Sequence, residues 1–221
     1  MRTTPCRLVV LISGSGSNLQ ALIDGQDNGS LPISIEAVIS NKANAFGLER
    51  AAAAKIPTAV LDHKQFTDRE HFDQALIKEI DQHQPELVVL AGFMRILTPE
   101  FVRHYRSKIL NIHPSLLPKY QGLHTHQRAL DAGDTVHGVT VHFVTEELDG
   151  GPPVIQASVP IYTKDSAATL AKRVQTQEHI IYPMAVKWFA KNQLSIKGQV
   201  VLLNGEPLPP HGYQIKATHS H

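Results

Sequence analysis

Apolar residues fall into two kinds of pattern along this chain, and the change between them divides it. Up to about residue 113, continuous apolar runs alternate with segments at helical spacing. Leu8-Val9-Val10-Leu11-Ile12, within Cys6 to Ser13, reads as a strand buried on both faces. Leu19, Ala21, Leu22 and Ile23 follow at helical spacing, Ile33 to Ser40 reads as a second strand, and Ala45 to Lys55 as a crossover helix. Pro57 introduces a short strand near Thr58 to Leu61, and Thr67-Asp68-Arg69-Glu70 has the form of a capping box. It opens a helix with Phe72, Ala75, Leu76 and Ile80 on one face. Leu87 to Ala91 is another apolar strand, Thr98-Pro99-Glu100 starts a short helix, and Ile109 begins the next strand. Such alternation predicts a parallel, doubly wound α/β sheet.

The second half has another rhythm. Pro114 to His126 reads as a loop, followed by a helix near Gln127 to Ala132. Val136 to Val144 alternates apolar and polar, and with Val154 to Ile161 it predicts an antiparallel pair across an acidic, glycine-rich loop. Asp165 or Ser166 caps a helix running to about Lys191, which Pro183 should kink. Ser195 to Leu203 reads as a last strand, and the tail to His221 as loose. The expectation is one domain over 1–221, with a phosphate-binding half to about 113, a catalytic half to 203 and a tail from 204. Its sheet is mostly parallel with an antiparallel C-terminal part.

Composition narrows the function classes. A net charge of +1 with 19% charged residues gives no global case for nucleic acid or a membrane surface. One cysteine, Cys6, excludes an internal disulfide framework and suits a cytoplasmic protein. The first apolar run is too short for a signal segment or a membrane span. Thirteen histidines raise the question of a metal. His124-Thr125-His126, with His113 and His142, offers imidazoles but no His-Glu-x-x-His and no cysteine cluster, so no metal is expected.

Three stretches carry candidate chemistry. Gly14-Ser15-Gly16-Ser17-Asn18 joins a strand to a helix, where free backbone N–H groups and the helix dipole favour an anion. Leu19 replaces the third glycine of a dinucleotide fingerprint, and Ser40-Asn41 replaces the acid after the second strand. The loop therefore suits one phosphate and not a nicotinamide cofactor, with a ligand-free tight turn as the alternative. Asn111 and His113 share a strand face just before Pro114, so an amide donor and a proton-exchanging ring point the same way. Asp149 precedes Gly150-Gly151 and could approach His113, but by residues alone it reads as a solvated loop acid like Glu146 and Glu147. Phe93, Met94, Ile96 and Leu97 suit either a pocket wall or ordinary core. With no nucleophile elbow present, an amide and a histidine suit direct attack of a substrate amine on a carbonyl.

Several stretches, taken together and in order, resemble one family. They are 10–20, Ala91-Gly92-Phe93-Met94-Arg95-Ile96-Leu97, 111–120, Gly122-Leu123-His124-Thr125-His126, His142-Phe143-Val144, Leu148-Asp149-Gly150-Gly151-Pro152 and Gln175-Thr176-Gln177-Glu178-His179. The chain resembles the phosphoribosylglycinamide formyltransferases of purine synthesis over essentially its whole length. The resemblance implies a Rossmann-like formyltransferase fold and transfer of a formyl group from 10-formyltetrahydrofolate to the amine of glycinamide ribonucleotide. By position, Asn111, His113 and Asp149 match the catalytic trio, and Gly16, Ser17, Asn18 and Glu178 match ribonucleotide contacts. Arg69, Met94, Arg95, Ile96, Leu97, Asn111 and the loop Thr145, Glu146, Glu147, Leu148, Asp149 match the folate site. It further implies a monomer or weak homodimer acting on small molecules, with folate as co-substrate. The rivals are a formyltetrahydrofolate hydrolase, which needs no ribonucleotide site, a methionyl-tRNA formyltransferase, which needs a further C-terminal domain and a basic surface, and a non-catalytic nucleotide-binding module.

Overall fold

The structure is a computed structural model describing residues 4–217, and it divides into two compact units, 1–111 and 112–221. In the first unit, β1 (Cys6–Ile12), α1 (Ser17–Asp27), β2 (Ile33–Ser40), α2 (Phe46–Ala53) and β3 (Thr58–Val60) come in order. They are followed by α3 (Arg69–Asp81), β4 (Leu87–Leu90), α4 (Pro99–His104) and β5 (Ile109–His113), whose last residues open the second unit. The strands lie in the order β5-β4-β1-β2-β3, and every pair is parallel. β1 and β4 are fully buried apart from Arg7, as their unbroken apolar runs require.

The order of strands decides where chemistry can sit. From β1 the chain steps outward to β2 and β3, then returns to the other side of β1 for β4 and β5. Right-handed crossovers then put α1 and α2 on one face and α3 and α4 on the other. Between β1 and β4 the winding reverses, and the loops leaving their C-terminal ends, 13–16 and 91–98, border the crevice. There Ser13 N–H donates to the Gly92 carbonyl at 3.1 Å.

The second unit contains α5 (Thr125–Asp131), β6 (Val136–Phe143), β7 (Pro153–Pro160) and α6 (Ala167–Ala190). β6 and β7 are antiparallel, as the alternation of their residues predicts. α6 begins in a capping box between Ser166 and Thr169 and runs through Pro183 as one helix. Its first turn is also braced by Asp165, which accepts two hydrogen bonds from Arg173, at 2.7 and 2.9 Å.

Three local expectations need correction. The strand expected over Ser195 to Leu203 is a hairpin, β8 (Leu194–Lys197) and β9 (Val200–Leu203), because Gly198-Gln199 makes a two-residue turn inside the apolar stretch. The tail is not loose: β10 (Glu206–Pro207) pairs with β9, and β11 (Tyr213–Lys216) pairs in parallel with β7. Tyr213 also meets the Trp188 ring edge-on at 5.5 Å. Residues 218–221 lie outside the described residues. Finally, α3 starts at Arg69 with Asp68 as its cap, whose carboxylate accepts the His71 N–H at 2.8 Å in place of the expected Thr67. A carboxylate outcompetes a hydroxyl for that N–H because it also complements the helix dipole. Among the described residues, no helix is long and apolar enough to cross a membrane.

Candidate active site

β5 ends the polar placement that matters most. Asn111, half-buried, pairs in register with Leu90 of β4, and His113 follows two residues later on the same strand. Their side chains share a face because the strand period is two. His113 is 6% exposed. Its Nε2 lies 2.8 Å from the Tyr120 carbonyl oxygen. A carbonyl only accepts, so Nε2 carries a proton and the Tyr120 backbone selects the tautomer. Asp149 approaches the other nitrogen, with Oδ2 3.5 Å from Nδ1.

Asp149 is not the solvated acid its neighbours suggest. Glu146, Glu147 and Leu148 are exposed, whereas the Asp149 side chain is only 8% exposed. Two local features turn it inward. Asp149 has a φ of +50°, and the chain after it returns tightly onto the end of β6. A Cβ on Gly151 would stand 1.7 Å from the Phe143 carbonyl oxygen, so only glycine passes there. The Gly122 N–H then donates to Asp149 Oδ2 at 2.9 Å, and the Gln121 side chain donates to the Asp149 carbonyl at 3.3 Å.

His142 completes the surroundings of this carboxylate. Its Nδ1–H donates to the Phe143 carbonyl at 2.9 Å, leaving Nε2 4.0 Å from Asp149 Oδ1. Burial pushes the proton affinity of His142 down, with Asp149 and the Phe143 carbonyl opposing that effect and the neighbouring His113 adding to it. With His142 Nδ1–H and His113 Nε2–H donating to backbone carbonyls, His142 Nε2 and His113 Nδ1 are the ring nitrogens that face the one carboxylate. A proton delivered to this cluster has Asp149 Oδ2 and His113 Nδ1 as adjacent resting places. That is the arrangement proton transfer needs.

A second histidine pair lies behind this one. His137 interacts with the Pro114 carbonyl, and its Nε2 shares a hydrogen bond with His126 Nδ1 at 3.2 Å. Burial, and His126 beside it, push His137 down to about 4. His126 is thus spent on another imidazole and His124 is exposed at the start of α5. Among the described residues, no group of three or more His, Cys, Asp or Glu could hold a metal ion.

In the first unit, the glycine loop leaves β1 and enters α1 with Gly16 as N-cap at a φ of +70°. Gly16 supplies no side-chain cap, and no acidic residue sits in the first turn, which keeps the dipole end favourable to an anion. A Cβ on Gly16 would lie 2.6 Å from Gly47 Cα. Arg50 of α2 braces the loop by donating to the Ser15 carbonyl at 2.8 Å, a contact that no spacing in the sequence announces. Ser17 is half-buried and Asn18 buried at the first two positions of α1.

Of the residues matched to folate, Met94 and Ile96 are exposed apolar side chains, Leu97 is half-buried, and the Arg95 guanidinium lies 5.4 Å above the Phe72 ring. Arg69, at the start of α3, and Arg95 both bring positive charge to Asp73. Leu148 is exposed beside Asp149, and Thr145 is half-buried. Glu178 is half-buried midway along α6.

A family model described as "Formyl transferase" matches residues 6–186. Phosphoribosylglycinamide formyltransferase from Escherichia coli is 56% identical over 206 residues, 93% of this chain and 97% of that protein. The Haemophilus influenzae protein of the same name is 50% identical over 207 residues, 94% and 98% of the two chains. The solved phosphoribosylglycinamide formyltransferase from Coxiella burnetii, in complex with CHES, superposes with a TM-score of 0.91 at 52% identity, covering 96% of this chain and 99% of that one.

Proposed function

This chain belongs to the formyl transferase family, and on that premise we propose that it moves the formyl group of 10-formyltetrahydrofolate to the amine of glycinamide ribonucleotide. The observation that carries the substrate assignment is end-to-end similarity to relatives bearing that activity in their names. The product is formyl-glycinamide ribonucleotide, a step of purine biosynthesis, and tetrahydrofolate leaves.

In this reading the substrate amine attacks the formyl carbon and the carbonyl oxygen becomes an oxyanion. The Asn111 side-chain amide donates to it, a contribution of roughly 3–4 kcal/mol for one well-placed donor. With Nε2–H held by the Tyr120 carbonyl, His113 adds a full positive charge once Nδ1 is protonated as well. Asp149 takes up the proton that the attacking amine loses, directly or through water, and returns it to N10 as the carbon–N10 bond breaks. Proton count balances: one leaves the amine and one arrives at the departing nitrogen.

The phosphate of the ribonucleotide is assigned to the backbone N–H groups of Gly16, Ser17 and Asn18, with Glu178 accepting ribose hydroxyls. The pterin is assigned to Met94, Arg95, Ile96 and Leu97 with the Thr145 to Asp149 loop, and Arg69 to the donor's acidic end. Exposed Met94, Ile96 and Leu148 support this reading, since apolar side chains held in solvent suit a planar ligand.

Folate turnover followed by absorbance, with and without glycinamide ribonucleotide, tests the assignment. Turnover only with the ribonucleotide, abolished in His113→Ala, is the expected result. Equal turnover without it identifies a hydrolase, and no turnover in either case identifies a binding module.

A further inference from the structure

The segment between β4 and α4, residues 91–98, has no regular hydrogen-bonded structure, yet it holds Met94 59% exposed and Ile96 54% exposed. Left alone, such a segment would fold these side chains against the protein. Two side chains from other elements prevent this. At one end, the Met94 N–H donates to the Ser13 hydroxyl at 2.8 Å. That hydroxyl in turn donates to Asn41 Oδ1 at 2.5 Å, and Asn41 contacts His63 Nδ1 at 3.4 Å. Ser13 and Asn41 are both buried. Asn41 stands where a dinucleotide fold would present its acid, and here it spends its side chain orienting a serine.

At the other end, the Thr98 N–H donates to Asp73 Oδ2 at 2.6 Å. Thr98 is itself the N-cap of α4, accepting the Phe101 N–H at 3.3 Å, so Asp73 fixes where loop gives way to helix. Asp73 is 2% exposed, and its second oxygen is buried without a hydrogen bond among the described residues. A buried carboxylate with half its capacity unused is costly to keep for stability alone. Between the two anchors, Arg95 rests over Phe72, the residue next to Asp73.

We propose that Ser13 and Asp73 are positioning residues for formyl-donor binding. They act through the backbone of 94–98, presetting it so that Met94 and Ile96 face outward before the donor arrives. The inference rests on the reading that this segment holds the pterin. Pre-ordering a loop removes an ordering cost from binding, so its loss weakens the affinity for the molecule that the loop contacts.

Steady-state kinetics of the full chain with 10-formyltetrahydrofolate and glycinamide ribonucleotide test the proposal. Asp73→Ala and Ser13→Ala are each expected to raise the donor KM about five-fold or more, the effect of one lost buried hydrogen bond, and to leave the ribonucleotide KM within about two-fold. Asp73→Asn keeps an oxygen that accepts the Thr98 N–H and should restore the donor KM. A merely structural aspartate would not show that split or that rescue. Amide hydrogen exchange should quicken at Met94 in Ser13→Ala and at Thr98 in Asp73→Ala, and Ser13→Ala carries the test if Asp73→Ala does not fold. Met94→Ala separates the two layers of the argument. If Met94→Ala raises the donor KM while Asp73→Ala and Ser13→Ala do not, the positioning role is overturned and the donor site stands. If Met94→Ala changes nothing either, the donor-site reading falls and the proposal with it.

Discussion

Asp149 Oδ2 stands 3.5 Å from His113 Nδ1 while accepting the Gly122 N–H at 2.9 Å. The two contacts can be separated by mutation. Asp149→Asn keeps an oxygen for the Gly122 N–H but cannot take up a proton. We expect kcat to fall by roughly 10²–10⁴, the usual share of a general acid–base group, with a thermal midpoint close to that of the parent. A midpoint lowered as much as the rate would instead assign Asp149 to structure.

Gly16→Ala probes the glycine loop to which the ribonucleotide phosphate is assigned. The substitution places a side chain at a φ of +70° and 2.6 Å from Gly47 Cα. Left-handed strain and the forced separation of two backbones should together cost about 2 kcal/mol or more. Urea denaturation measures that loss. Differential scanning calorimetry should show glycinamide ribonucleotide raising the parent's midpoint and raising the variant's far less.

His137 should make stability depend on pH. Its folded-state value near 4 lies below the unfolded value of about 6.5. The unfolded chain therefore binds more protons between those values, and stability falls as the pH is lowered from about 6.5 toward 4. His137→Gln, which still donates to the Pro114 carbonyl, should flatten this dependence by about 1–3 kcal/mol. Urea midpoints at pH 7, 5.5 and 4.5 provide the comparison, and an unchanged slope would locate the protonation elsewhere.

Asp165 should act at more acidic pH. Its two hydrogen bonds from Arg173, with those from Tyr162 N–H and Thr169, hold its carboxyl well below the usual range. Stability from this group is complete above the unfolded carboxylate range near pH 4 and is lost as the pH falls below it. Asp165→Asn should cost about 1–3 kcal/mol at pH 7. The gap between parent and variant should narrow toward pH 2 in the same urea titration.

Much of the site's framework was legible along the chain. Fully apolar runs such as Leu8 to Ile12 and Leu87 to Leu90 identify parallel strands because both faces of such strands are buried. The Gly14 loop and the Asn111–His113 pair were readable because each depends on neighbours within a few residues. The burial of Asp149 was not, since Glu146, Glu147 and Asp149 are chemically alike and differ only in which of them the Gly151 approach to Phe143 turns inward. Tyr120 was equally hidden, because its contribution is a backbone carbonyl, which every residue has.

The tail shows the same division. Tyr213 to Lys216 is four residues of unremarkable alternation, and its strand exists because β7 presents an open edge some sixty positions earlier. Likewise Ser13, Asn41 and Met94 come together only when the winding of the sheet reverses between β1 and β4. Local steric preference and hydrophobic period, which act over a few residues, let the sequence by itself determine the elements of the parallel half, the glycine loop after β1 and the polar face of β5. Which acid is buried, which tautomer His113 holds and which side chains brace residues 94–98 depend on atoms far apart in the chain, and those the tertiary structure decided.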